Sequence, residues 1–225
     1  MVNLIIIVEG QTEEAFIKDV LTPHLSRLNV FPRALLVTTK KTRIRRYKGG
    51  GSQYKHYKKT ILNSIKQFSA TDNYFSSMID LYKLPRGFPG NAEAQTIRDK
   101  FSRISFLEDK LKTDINHPRN QFMPYLQLHE FEAILFSKPD AFKYKYPFDD
   151  SKVNELKAEI ETFTNPELID DDNPPSKRIK KKLRTYEKVA DAPILALEIG
   201  LDIIRQKCPH FNEWISKLES LSNLT

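Results

Sequence analysis

The sequence predicts an α/β fold, a small and mostly parallel sheet followed by a helical C-terminal extension. Three observations carry this. A β-branched run of strand length, LIIIV at 4–8, gives way at once to Glu9-Gly10 and then to an amphipathic helical pattern opening at Thr12. Short apolar runs bounded by turn residues then alternate with helical stripes to about residue 138, as buried parallel strands with right-handed crossovers require. From Asp140 onward the strand signal stops. Helical patterns fill roughly 151–163, 176–187, 193–206 and 210–221, with a polar link, IDDDNPPS, at 169–176. The chain thus divides into an α/β domain, 1–138, and a helical extension packed on it, 139–225.

Each element has its own signal. Val8 closes the first strand, and the following helix, roughly 12–22, takes Thr12 as its N-cap with Glu13 and Glu14 in the first turn, where acids suit the helix dipole. Arg33–Thr39 contains ALLVTT, a second short strand. Tyr54, Tyr57, Ile61, Ile65 and Phe68 fall at helical spacing. The segment 74–82, YFSSMIDLY, reads as a third strand ending at Asp80, followed by the Pro/Gly-rich loop LPRGFPGN. Ile97, Phe101, Ile104, Leu107 or Glu108, and Leu111 stripe a long helix. Gln121–Leu128 is a fourth strand that Pro124 marks as edge or bulged, and His129-Glu130-Phe131-Glu132 leads into a helix start at AILF.

Composition narrows the function classes. A chain of 225 residues with 40% hydrophobic and 29% charged residues is ordinary globular material. The single cysteine, Cys208, excludes a disulfide framework and a Cys-rich zinc site, and suits a reducing cytoplasm. The N-terminal apolar run is too short to span a membrane. KGGGS lacks the spacing of a phosphate-binding P-loop, and neither a Gly-x-Ser-x-Gly elbow nor HExxH occurs. His129 is placed to shuttle a proton beside Glu130, although a lone histidine is more often structural.

The charge is unevenly spread. No acid stands between Asp19 and Asp72, whereas that segment holds twelve lysines and arginines. Set against a whole-chain charge of +7, those twelve leave about −5 for everything else. Lys40, Lys41, Arg43, Arg45, Arg46, Lys48, Lys55, Lys58 and Lys59 interleave with Tyr47, Tyr54 and Tyr57. Cations neutralise phosphates and aromatics stack on bases, so this stretch is the nucleic-acid-binding candidate. A second basic run, Lys177 to Arg184, is equally well read as a solvated helix face.

Parallel strands end on one sheet edge, where open α/β sheets place their chemistry. Glu9, Asp80 and Glu130 each follow or end a predicted strand, so three acids distant in sequence converge. Such a cluster suits Mg²⁺ (or Mn²⁺), which takes hard oxygen ligands and, beside a phosphodiester, activates water and steadies the leaving oxygen. Glu132 is a fourth candidate ligand.

These residues carry a resemblance. VEGQTEEAF at 8–16 is similar to the first motif of Toprim domains, which are Rossmann-like. VEGQTE, MIDLYKLP at 78–85, LQLHEFEAILF at 126–136, PSKRI at 175–179 and CPHFNEW at 208–214 together resemble domain-of-unknown-function family 4276. One branch of that family is the effector nuclease of PARIS anti-phage systems, a toxin that cuts host tRNA when an ABC-type ATPase partner releases it. The resemblance implies a Toprim-like fold with Glu9 as general acid/base and Asp80 as the first acid of the Toprim Asp-x-Asp pair. The second position of that pair is Tyr82, and Glu130 is the substitute this reading selects, ahead of Glu132. The expectation is a Mg²⁺-dependent, tRNA-cleaving endonuclease of the cytoplasm, working with an ATPase and, if it cuts duplex, as a homodimer. The alternative is a degenerate Toprim that binds nucleic acid or regulates the ATPase without cutting.

Overall fold

The computed structural model describes residues 1–37, 53–81, 84–169 and 172–224. Of the nucleic-acid candidates, Lys40, Lys41, Arg43, Arg45, Arg46 and Lys48 lie outside these residues, as do Tyr47, the KGGGS stretch and Tyr82.

The architecture is α/β around a parallel sheet. Strand β1 (Val2–Val8) is central, flanked by β2 (Val30–Leu36) and β3 (Asn73–Asp80). Beyond β3 come two short strands, β4 (Phe122–Met123) and β5 (Leu126–Gln127), both parallel to it. The four-way order β2-β1-β3-β4 is that of a Rossmann-like sheet, and all carboxyl ends share one edge. β1 is buried on both faces because its alternating residues feed two cores. Leu4, Ile6 and Val8 join one, and Ile5 and Ile7 join the other.

Two predicted strands shifted in instructive ways. β2 begins at Val30, not in the ALLVTT run, because Val30 and Pro32 face inward while Phe31 and Arg33 face out. Pro32 is tolerated because β2 is an edge strand. The fourth predicted strand is two strands separated at Pro124. The interruption frees backbone groups, which side chains satisfy. Ser76 Oγ donates to Met123 O (2.6 Å), Tyr125 N donates to Ser77 Oγ (3.1 Å), and Leu126 N donates to Glu108 Oε1 (2.8 Å). The buried Ser76-Ser77 pair in an otherwise apolar strand is thus the complement of Pro124.

The first helix starts earlier than Thr12. α1 (Gln11–Phe16) has Gly10 as its N-cap, and Thr12 is buried inside the first turn. A π-helical turn, Ile17–Leu21, joins it to α2 (Thr22–Ser26). Pro23 explains the turn. It has no N–H to give the carbonyl four residues back, so the ladder widens, and Thr22 Oγ1 also donates to Ile17 O at 2.8 Å.

On the second face lie α3 (Tyr54–Gln67) and α5 (Lys100–Ile115), preceded by the short α4 (Asn91–Ala94). Asp99 caps α5 through Ser102 N at 2.7 Å. The HEFEAILF segment forms a 3₁₀ helix, Phe131–Ser137, with every residue buried. Then follow α6 (Ala141–Lys145), α7 (Asp150–Ile160), α8 (Pro175–Lys182), α9 (Lys188–Ile199), α10 (Leu201–Lys207) and α11 (Pro209–Glu219). α9 starts five residues before the predicted Pro193. Asp191 secures that start by accepting from Glu187 N (2.8 Å) and Tyr146 Oη (2.7 Å).

These C-terminal helices share one core with α1 and with one face of β1. Trp214 stacks on Tyr125 at 4.3 Å and donates to Ser76 Oγ at 2.9 Å. Glu167 accepts from His210 N and Phe211 N at the start of α11. Cys208 is buried beside Ser137, and burial raises its thiol well above the usual range, as suits a packing residue. No helix among the described residues is long and apolar enough to cross a membrane.

Candidate functional site

The site is built at the carboxyl edge of β1 and β3. Asp80 is the last residue of β3 and only 9% exposed. Burial raises its carboxyl well above the ordinary range, and the charges of Glu9, Glu13 and Glu132 push it further, against the pull of Lys188. Those neighbours arrive from separate elements: Glu9 from the end of β1, Glu13 from α1, Glu132 from the 3₁₀ helix and Lys188 from the first position of α9.

Glu9 is half-buried, and its Oε1 accepts from Tyr57 Oη on α3 at 2.7 Å. Tyr57 therefore does more than pack. It orients the carboxylate from the opposite face of the sheet. Gly10 acts through space, not through special dihedrals, since its φ of −149° suits any residue. A Cβ there would lie 3.0 Å from Glu13 Oε2, so glycine lets Glu13 fold back towards the strand end.

Glu132 is fully buried and paired with Lys188 Nζ at 2.9 Å, with Tyr186 Oη 3.4 Å from its other oxygen. Burial raises the Glu132 carboxyl despite Lys188, and the acids around Lys188 hold that ammonium firmly protonated.

Glu130 has a different environment. Its Oε2 accepts from Ser176 N at 3.1 Å, in the first turn of α8, where a carboxylate complements the helix dipole. The charge of Glu132 is among those that act on Asp80. Glu132 thus acts on Asp80 through its charge, while Glu130 is bonded to the first turn of α8. His129 is fully buried, and its Nδ1 accepts from Glu130 N at 3.0 Å.

Sequence reasoning missed Lys188, Tyr57 as an orienting group, and the part played by Glu13. Tyr57 and Glu13 had adequate local explanations as packing and dipole residues. Lys188 had no local signal, because its importance comes only from the packing of α9 on α1.

The described basic candidates divide. Lys58 is paired with Asp114 at 3.0 Å. Lys55 and Lys59 are exposed one turn apart on α3, lining with Leu35 and Leu36 a groove of about 660 Å³ beside β2. In the second basic run, Arg178 is buried against Glu159 at 2.6 Å and Lys182 pairs with Glu155 at 2.8 Å. Both tie α8 to α7.

Glu9, Glu13, Asp80 and Glu132 offer the hard oxygen donors that Mg²⁺ takes, and the repulsion around Asp80 is the imbalance a divalent cation relieves. The donor chemistry therefore fits. Among the described residues, no three His, Cys, Asp or Glu side chains are already gathered as a metal-holding group, and Lys188 neutralises Glu132.

A parallel Rossmann-like sheet with a buried, charge-crowded carboxylate at its carboxyl edge defines an α/β protein with a polar edge site. The chain belongs to the DUF4276 family: the model described as "Domain of unknown function (DUF4276)" matches residues 8–219. Searches of curated proteins and of solved structures gave no match.

Proposed function

We propose that the protein is a metal-dependent, Toprim-like nuclease that hydrolyses phosphodiester bonds in nucleic acid. The observation that carries this is Asp80, a buried carboxylate at the sheet edge whose pKa is raised by burial and by the charges of Glu9, Glu13 and Glu132, the kind of perturbed acid that clusters at functional sites. In this reading Asp80 and Glu9 hold Mg²⁺ or Mn²⁺, which would polarise the phosphoryl oxygen and lower the pKa of an attacking water. Glu9, the more exposed acid, takes or returns the proton at its carboxylate, with Tyr57 fixing its orientation. Lys188, paired with Glu132 and acting on Asp80, would steady charge developing on the phosphate. Exposed Lys55 and Lys59 lead the substrate backbone towards the edge.

The resemblance to PARIS effectors makes tRNA the first substrate to test, with an ABC-type ATPase as the controlling partner. The test is cleavage of total cellular tRNA by wild type and Glu9→Ala, with Mg²⁺ and with EDTA, with and without a neighbouring ATPase and its trigger. Fragments from wild type alone, lost in EDTA, support the reading. Equal cleavage by Glu9→Ala defeats it. A second reading, a non-catalytic partner that binds nucleic acid or the ATPase, draws on the ungathered metal ligands and on Lys188 as resident cation. Binding without cleavage under every condition favours it.

A further inference from the structure

A second cavity opens at the same carboxyl edge, on the α5 side of the sheet. It holds about 380 Å³, within the range that takes a small ligand. Its apolar walls are Leu81, Leu84, Leu107 and Leu128, and its polar rim includes Gln95 and Arg103. Leu81 directly follows Asp80, and Leu128 follows Gln127, the register partner of Asp80. The cavity is therefore contiguous in chain with the acid site and faces the opposite layer.

Arg103 gives the cavity its chemistry. Its Nε and Nη2 both donate to Ile97 O, at 2.9 and 2.8 Å, so a neutral carbonyl fixes the guanidinium plane. Among the described residues it has no carboxylate partner, and it is half-exposed. A guanidinium oriented without being neutralised is prepared for an anion. Gln95 donates to Asn91, keeping two side-chain amides at the rim with both donors and acceptors to offer.

We infer that this cavity is a nucleotide slot, taking one unstacked nucleotide of a single-stranded or looped nucleic acid. The base lies between the leucines, the amides meet its hydrogen-bonding edge, and Arg103 holds a phosphate. A base enters only when it has left its stack, so duplex is disfavoured. This rests on the nucleic-acid reading above and adds to it the substrate's form and a second point of grip.

The test is binding of a fluorescein-labelled, unstructured 12-nucleotide RNA to the full chain, by anisotropy in EDTA at several salt concentrations. Arg103→Gln is expected to weaken binding about tenfold and to lower the log–log salt dependence by about one. Gln95→Glu, an exposed change that leaves the fold alone, is expected to weaken it at least about fivefold by placing an anion at the rim. A 4-thiouridine version of the RNA is expected to crosslink within residues 81–107. No binding by wild type, both variants within about twofold of it with an unchanged salt slope, or crosslinks confined elsewhere would each overturn the slot. The nuclease reading is judged separately by Glu9→Ala cleavage. Binding that needs Arg103 without any cleavage leaves the slot standing, and cleavage with Arg103-independent binding removes the slot alone.

Discussion

Replacing Asp80 with Asn should make the protein more stable and inactive. In the folded chain Asp80 is buried among Glu9, Glu13 and Glu132, and its pKa is raised above its unfolded value of about 3.9 despite Lys188. The native state therefore holds this proton more tightly than the unfolded chain. Stability from this group is full below about pH 4 and is lost as pH rises through the folded pKa. At neutral pH burying Asp80 among acids costs stability, either as a proton taken up on folding or as a charge held among charges, and Asn keeps the volume while removing that cost. Replacing buried ionic groups by well-packed neutral side chains of similar volume is often neutral or stabilising by about 1–4 kcal/mol. A gain of about 2 kcal/mol in a chain of this size raises Tm by roughly 4–8 °C. The assay is calorimetric melting of wild type and Asp80→Asn in EDTA from pH 4 to pH 8. The Tm gap should open as pH rises and close towards pH 4. In the same experiment Mg²⁺ should raise the Tm of wild type and not of the variant, because only a state that binds the ion gains from it. An unchanged or lower Tm for Asp80→Asn at pH 7.5, or a gap independent of pH, would refute the reasoning.

Other expectations follow from the same geometry. Lys188→Met leaves fully buried Glu132 without its ion pair and should cost about 2–3 kcal/mol at pH 8 by urea unfolding, the low end of the range because Lys188 is 35% exposed. That loss should shrink as pH falls through the raised Glu132 pKa and the carboxylate takes up a proton. Burial alone would lower the His210 pKa, but its 3.0 Å bond to Glu108 Oε1 and the acids nearby hold it above the ordinary value. Its contribution is full below about pH 6.5 and is lost as pH rises through the folded pKa, so Glu108→Gln should cost about 1–2 kcal/mol at pH 6 and less at pH 9 in thermal melts. Trp214 is the chain's one tryptophan and bonds α11 to β3, so urea unfolding followed by its fluorescence should coincide with loss of far-UV ellipticity. A separate early fluorescence transition would show that the C-terminal helices unfold alone.

By itself the sequence determined the elements whose signal is local. LIIIV makes a strand wherever it is buried on two sides, and Ile104, Leu107 and Leu111 make a helix face whatever they pack on. The order of strand and helix was enough to place the ends of β1 and β3 on one edge, and with them Glu9 and Asp80. Tertiary packing decided what else reaches that edge. Glu130 and Glu132 are two residues apart, and only the fold bonds one to the first turn of α8 and pairs the other with Lys188. Lys188 and Tyr57 become site residues because α9 packs on α1 and α3 lies against β1. Ser76 and Ser77 read as misplaced polar residues in a strand until Pro124 is seen to free the backbone groups they satisfy. Periodicity reports which face of an element is buried. Which charge meets which is set by contacts between residues far apart in the chain, and these carry no period to read.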